Sequence, residues 1–478
     1  MTDAARRLVA SVLVALVAAG AVTLAADDPE PLAIRPATRQ PGDGPVIPGD
    51  DVVASAWYCA EGTSSAIGRA SETVIIGNLE RHPIEFEMTV MVGEGAPSQT
   101  ERAELEPYEQ RRIPVRGLAE SPEPGVVVEI FGGRAIVEHE IEGRDDIAVG
   151  PCSRTAARRW FFAEGSTERG AEDWLALFNP FGEDAIVDVT FLDEAGLEQP
   201  EAGQALVVPR RSRVSVAVHD IARRQGQVAV LVEARTGRIV AERSGHFDGT
   251  EGRMGITLSL GTTRAATRWR FPVMGGGAGT TGSVSIANLD DRRAQVEVQL
   301  LRAGGGRSTL PETVELLSDT IKRVDVGGRG GGDVYAVEIR STNDVPVVAG
   351  AFDVWAEPAP VTAVAATQGS VTASPFWSFA VGRLEATGDA VISAVNLSRE
   401  PVTVQLYAYT RGDPDSPASA PAEALGAGER VGFSLRERGI RPDQVLVVAA
   451  DGPIAVARQI LDPGASIAPG VPFTDGGR

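Results

Sequence analysis

The chain reads as all-β, four tandem immunoglobulin-like β-sandwich repeats after one N-terminal transmembrane helix, and three observations carry that expectation. First, nearly the same words recur as Trp57-Tyr-Cys-Ala-Glu-Gly62, Trp160-Phe-Phe-Ala-Glu-Gly165, Trp269-Arg-Phe-Pro272 and Trp377-Ser-Phe-Ala-Val-Gly382. The gaps between these tryptophans are 103, 109 and 108 residues, the length of a small domain. Second, from Trp57 onward apolar and polar residues alternate with the period of a strand, and no window offers a helical face. Third, each repeat holds about seven such runs with turn signals at about 8–12-residue spacing, the pattern of an immunoglobulin-like sandwich. A β-propeller-like closed arrangement is the alternative, but its blades usually take about 40–50 residues.

Taken in order, residues 1–26 come first, with Arg6 and Arg7 ahead of an uncharged run from Leu8 to Ala26 that stops at Asp27-Asp28-Pro29. That run is longer than the ~7–15-residue core of a cleaved signal and close to the ~20 residues that span a bilayer. A signal anchor through residues 8–26 is expected, with a cleaved signal peptide and secretion as the alternative. Arginines before the run and acids after it place the remainder outside the cell membrane. Residues 27–52 carry Pro29, Pro31, Pro36, Pro41, Pro45 and Pro48 among acids and glycines, and read as a disordered stalk. The four repeats are then placed at 53–156, 157–265, 266–373 and 374–478.

Within each repeat the longest alternating run follows an asparagine, at Asn78, Asn179, Asn288 and Asn396. A turn residue that tolerates left-handed backbone between two β-rich runs reads as a hairpin corner. An arginine then precedes a β-branched residue at Arg112-Ile113, Arg213-Val214, Arg323-Val324 and Arg430-Val431, and reads as a solvated or snorkelling strand residue. Two further strands follow, and each repeat closes near a glycine, at Gly150, Gly261, Gly369 and Gly470. The four tryptophans, Trp57, Trp160, Trp269 and Trp377, read as core or interface fillers.

Charge and motifs limit the function classes. The net charge is −20, Lys322 is the single lysine, and no basic stripe is present, which argues against nucleic-acid binding. Gly277-Ala-Gly279-Thr-Thr-Gly282 spells the dinucleotide fingerprint, yet Ser283-Val-Ser-Ile286 after it is strand-like where that motif needs a helix. Glu61 and Glu164 hold equivalent places after their tryptophans, but the other repeats put Val273 and Val381 there, so a glycosidase pair is not expected. His139 lies between Glu138 and Glu140 on an alternating strand, opposite both acids, and one ligand on a face makes no metal site. Asn396-Leu-Ser398 fits the N-glycosylation pattern, but Asn396 is also the shared turn residue and is read structurally. No catalytic, cofactor or metal residues are assigned.

Cys59 and Cys152 are the two cysteines, and in an exported chain such a pair reads as a disulfide. Cys59 stands where the other repeats have Phe162, Phe271 and Phe379, so the bond would staple the first strand of repeat one to its last. It would close a loop of about 94 residues, worth up to about 4–5 kcal/mol in the chain-entropy account. The run Arg159-Trp-Phe-Phe-Ala-Glu-Gly-Ser-Thr167, continuing through Trp174-Leu-Ala-Leu-Phe-Asn-Pro180, resembles the tandem repeat of exported actinobacterial proteins. From about residue 57 to 475 the chain resembles an uncharacterised actinobacterial domain-of-unknown-function family, and is most eroded at Pro272, Val273 and Met274. The resemblance implies an envelope location and carries over no catalytic residue. The expected function is a non-catalytic, membrane-anchored envelope scaffold or interaction module for envelope proteins or wall polysaccharide. A carbohydrate-binding protein or weak glycan hydrolase is the alternative.

Overall fold

The computed structural model describes residues 45–49, 52–66, 68–93, 97–143, 146–193, 195–275, 277–304, 306–310, 313–327, 334–382, 389–461 and 464–473. The expected signal anchor at 1–26 and most of the stalk lie outside these residues. No described helix is long and apolar enough to cross a membrane. The described chain is all-β, in several antiparallel sheets, none of them closed.

One pairing scheme recurs after each tryptophan. The strands that carry the tryptophans, Ala54–Cys59, Arg159–Phe162, Arg268–Met274 and Ser374–Ala380, lie at one side of an outer sheet. Each pairs with a strand that also pairs with the long alternating run, Ile84–Met91, Ala185–Asp193, Ala294–Arg302 or Val402–Thr410. The alternation is physical: in Ile84–Met91 every second side chain is buried, because successive residues of a strand face opposite sides. An inner sheet is built around the strand that ends in asparagine, with the arginine strand on one side. On its other side lies a strand beginning near Ala135, Val240, Val348 or Ile454, followed by a short closing strand.

The closing strands, Ile147–Pro151, Met254–Leu260, Ala363–Gln368 and Ala465–Pro469, are additional to the strands expected from the sequence. They bring the four stretches together. The first packs against the second and the fourth, and the third packs against the second and the fourth, so the four surround a common axis. Asp43–Arg478 is accordingly one compact unit. The cores run across from stretch to stretch: Ala60 and Val127 join the core around Trp160, Ala163 and Ala229 join that around Trp269, and Ala380 and Val471 join that around Trp57. The first described residues complete the closure, since the Ile47 N–H donates to the Pro472 carbonyl at 3.0 Å.

The four asparagines do a different job from the one their turn propensity suggests. Each ends an extended strand, is fully covered, and uses its side chain rather than a left-handed backbone. Asn78 Nδ2 donates to the carbonyls of His82, Leu105 and Glu106 at 2.9, 3.1 and 2.9 Å, while its Oδ1 accepts the Glu80 N–H at 2.7 Å. Asn288 and Asn396 repeat the full set, and Asn179 repeats all but one bond. An amide supplies both donors and an acceptor in one plane, so it can hold a turn and the crossing chain together. With Nδ2 of Asn396 spent on three carbonyls, its glycosylation pattern is a structural coincidence.

Candidate functional site

The tryptophan motifs meet one another through the joints between consecutive stretches. Trp57, Trp160, Trp269 and Trp377 are all buried, and the last three donate their indole N–H to the carbonyls of Ile239, Val347 and Ile454. Trp57 Nε1 has no hydrogen-bond partner among the described residues. The same backbone turn of each motif that leaves the tryptophan strand then enters the neighbouring stretch.

At the joint from the first stretch to the second, Glu242 accepts the N–H groups of Ala60 and Glu61 at 2.9 and 2.6 Å. Arg213 donates to the Gly62 carbonyl and reaches the Glu61 carboxylate at 3.3 Å. His139 Nε2 lies 3.4 Å from Glu242, and His139 Nδ1 lies 3.1 Å from Glu72. All these side chains are buried. Burial alone would lower the His139 pKa, but Glu242 and Glu72 outweigh it and hold it up at about 9. Burial pushes Glu242 up to about 7, against the opposing pull of His139 and of the two backbone N–H groups.

The next joint keeps the acid but turns it around. Gly350 occupies the register of Glu242, and a Cβ there would stand 2.8 Å from the Glu164 Cβ, so only glycine admits the motif this closely. Glu164 then accepts from Ser285 Oγ and meets Arg323 at 3.5 Å. At the third joint the acids are gone. Val273 packs with Trp355, Ala457 and Ile467, and Arg430, its pKa lowered to about 10 by burial, donates to the Pro272 carbonyl at 3.3 Å. The fourth joint closes the circuit: Glu138 accepts the Ala380 N–H at 3.0 Å and pairs with Arg458 at 3.2 Å. The snorkelling reading of the repeated arginines is therefore corrected for Arg213 and Arg430, which are buried at joints, and Arg323 also bonds across one. Arg112 is half exposed and pairs with Glu140 of its own stretch.

Glu61 and Glu164 do not come together as a catalytic pair; each is held by an arginine of a different stretch. Glu138, named only as a neighbour of His139, and Glu242 and Arg458 were missed as joint residues. Their signal was a charge inside otherwise apolar strands, at Ile136-Val-Glu138 and Val240-Ala-Glu242. The glycine fingerprint at Gly277–Gly282 leads into the strand Thr280–Asn288, so no helix N-terminus is present to receive a phosphate.

Cys59 and Cys152 are bonded, and both are buried. The backbone shows what they replace. The N–H groups of Gly261, Gly369 and Gly470 donate to the carbonyls of Ala241, Ala349 and Val456, and in the first stretch the N–H of Cys152 donates to Val137 in the same way. The counterpart of those glycines is thus Cys152 and not Gly150. A Cβ on Gly261, Gly369 or Gly470 would sit 2.7–2.8 Å from the ring of Phe162, Phe271 or Phe379. A phenylalanine-on-glycine contact in the last three stretches is a cysteine-on-cysteine bond in the first. His139 lies beside it, with Nδ1 or Nε2 and both sulfurs within 4.8 Å of one another. A metal on this trio would need both thiolates, which the disulfide consumes.

Among the described residues, recesses open at the hairpin tips and at the fourth joint. An axial cleft of about 960 Å³ lies where the hairpin tips around Asp146, Asp248, Thr362 and Gly464 meet. Arg69 borders it with its guanidinium 3.8 Å over the Trp174 ring, and has no carboxylate partner among the described residues. Asp146, pushed up to about 7 by burial, accepts the N–H of Ile147 at 2.8 Å and that of Ile256. A second recess of about 400 Å³ lies at the fourth joint and is lined by aromatic residues of the first and last stretches.

Comparison with solved structures returns a Thermotoga maritima protein, 1070, at 20% identity over 22% of this chain and 95% of its own, with a TM-score of 0.20. It also returns a red sea bream transglutaminase at 11% identity, covering 45% of this chain and 32% of that one, with a TM-score of 0.10. A third is a Streptomyces avermitilis α-L-rhamnosidase complexed with L-rhamnose, at 10% identity over 70% and 47%, with a TM-score of 0.12. At such TM-scores these likenesses bear on neither fold nor activity. No curated protein matches. A family model does match, over residues 143–422, and the chain belongs to that family, the family of unknown function DUF5719.

Proposed function

We propose that the protein is a non-catalytic extracytoplasmic scaffold, anchored in the cell membrane through residues 8–26, with four immunoglobulin-like sandwich units presenting surfaces to envelope proteins or wall polysaccharide. The observation that carries this reading is where the reactive-looking side chains go. Glu61, Glu164, Arg213, Arg323, Glu138 and Glu242 bond the motif of one stretch to the next, and Cys59 is spent on the disulfide. Joints of this kind favour one fixed arrangement of surfaces over a flexible string, which suits a platform. The net charge of −20 favours neutral or basic partners over anionic ones.

A C-terminal fusion of the full chain to a reporter that works only outside the cytoplasm tests the location. Activity of that reporter, with the chain in the membrane fraction, is the expected result. Activity of a cytoplasm-restricted reporter at the same position would overturn the reading, and release of the chain into the medium would replace the anchor by a cleaved signal. The wall-polysaccharide side of the proposal is favoured by one feature, the aromatic recess at the fourth joint.

A further inference from the structure

The four stretches serve as controls for one another on their solvent faces. Across the tryptophan strand, its partner and the alternating strand of the outer sheet, the pairing places Ala56, Glu129 and Glu87 in one outward row in the first stretch. The corresponding row is Arg159, Glu233 and Asp188 in the second stretch and Arg268, Arg340 and Glu297 in the third. In the last it is Phe376, Ala449 and Gln405, without a charge. One rung along, Thr89, Thr190 and Gln299 of the first three give way to Tyr407. These positions face away from the core, since Val404, Leu406 and Ala408 between them are the buried ones, so core packing does not demand the aromatic residues.

The face is also shaped. Tyr409 stacks on Tyr108 of the first stretch with ring centroids 4.1 Å apart, and Phe376 lies against Phe473 at 5.6 Å. The hairpin after Tyr409 is held to the first stretch by the Gly412 N–H, which donates to the Pro107 carbonyl at 2.8 Å, and by the ion pair of Arg81 with Asp415 across the mouth. The result is a recess of about 400 Å³ with half-exposed Tyr407, Tyr409 and Phe376 on its floor. That volume is at the small end of the ~300–1,000 Å³ that ligand pockets take. Tyr407 is oriented by donating its hydroxyl to Gln405 Oε1 at 2.7 Å.

We propose that this recess binds a neutral saccharide, whose C–H face lies on Tyr407 and Phe376 and whose hydroxyls bond to the Arg81 and Asp415 pair. The chemistry is selective. Aromatic faces carry partial negative charge and attract C–H groups, while a paired arginine and aspartate offer donors and acceptors without net charge. An anionic ligand meets the repulsion of the −20 chain, and a cation finds Asp415 already paired. The assignment names a ligand class for the wall-polysaccharide side of the proposed function and rests on that reading for its biological setting.

The test is titration calorimetry on the full chain, in a zwitterionic detergent without sugar headgroups, against hexasaccharides of glucose, mannose, galactose and arabinose. Binding of at least one is expected, with Tyr407→Ala weakening it about tenfold, as the loss of one ring contact does. Tyr407→Phe is expected to bind within about threefold of the parent, and Thr89→Ala, at the equivalent place in the first stretch, to bind like the parent. Asp415→Ala at the exposed rim supplies a second variant that does not touch the core, expected to weaken binding about fivefold. No binding by the unaltered chain, equal binding by Tyr407→Ala and Asp415→Ala, or binding of a proline-rich peptide in place of every sugar would each overturn the assignment. Because the assay uses purified protein, its failure leaves the reporter experiment on location untouched.

Discussion

The first and third joints do the same mechanical work with opposite chemistry. At the first, Glu242 receives two backbone N–H groups, with Arg213, Glu61 and His139 around it. At the third, the register of Glu242 is filled by Ala457, and Val273, Trp355 and Ile467 make an apolar seal. The turn of the tryptophan motif presents N–H groups to the neighbouring stretch, and a carboxylate is one way to satisfy them. The difference teaches that the joint is set by backbone geometry, and that the side chains decide how costly it is to break. Removing one member of a buried ionic set strands the others, whereas trimming an apolar seal leaves a cavity.

The largest expected effect is therefore at the first joint. Glu242→Ala is expected to destabilise by about 3–5 kcal/mol, because it leaves Ala60 N–H and Glu61 N–H unpartnered and takes from His139 one of its two carboxylates, with Glu72 remaining; denaturant unfolding measures it, and a loss below about 1 kcal/mol would mean that the joint does not depend on the ionic set. Next is the disulfide, which only the first stretch has. Replacing Cys59 and Cys152 together by alanine is expected to cost about 4 kcal/mol through the entropy of a loop that long, read from the same curves.

The pH dependence sharpens the comparison further. His139 has a folded pKa of about 9, above its ordinary 6.5, so its contribution is full below about pH 6.5 and is lost as pH rises through 9. Glu242 has a folded pKa of about 7, above 4.5, so the folded form holds its proton more tightly and stability again falls with rising pH, here between about 4.5 and 7. Asp353 of the third stretch, pushed up to about 7 by burial, acts in the same direction. Stability is expected to fall by several kcal/mol from pH 5 to pH 9, and the Glu242→Gln variant to show a flatter profile. A parent profile that rises over this range would contradict the proton assignment at the first joint.

Smaller effects belong to the third joint and the surface. Val273→Ala is expected to cost about 2 kcal/mol with little pH dependence, since only apolar contact and cavity terms change. Arg159→Ala, which breaks an exposed pair with Glu233, is expected to change unfolding by less than about 0.5 kcal/mol. A pH-dependent loss at Val273 would blur the distinction between the two kinds of joint.

Much of the strand pattern was legible because the alternation of strands such as Ile84–Met91 is a local property, imposed wherever one face is buried and the other is not. Cys59 was legible for a related reason: it stands where the other stretches have a phenylalanine, whereas the register of Cys152 with Gly261, Gly369 and Gly470 came only from the backbone hydrogen bonds. Glu138 and Glu242 were not, because nothing in a strand's own periodicity says that a neighbouring stretch will present N–H groups to it. The closing strands were unreadable as well. They are short and rich in small residues, and they become strands only by pairing beside the axis. Tyr407 and Tyr409 could have been noticed as aromatic residues at outward positions, but without Tyr108 and Phe473 beside them they were only strand formers.

By itself the sequence determined what depends on neighbours along the chain: the all-β character, the tryptophan period, the asparagine that ends each second strand, and an acidic charge balance. The tertiary structure decided which of those residues touch. It spent the carboxylates and arginines of the motifs on joints, drew four closing strands around one axis, and left an aromatic recess, rimmed by the Arg81 and Asp415 pair, where the last stretch meets the first. The physical reason is that burial and pairing between residues some hundreds of positions apart follow from how backbones approach in space, and periodicity along the chain carries no record of that.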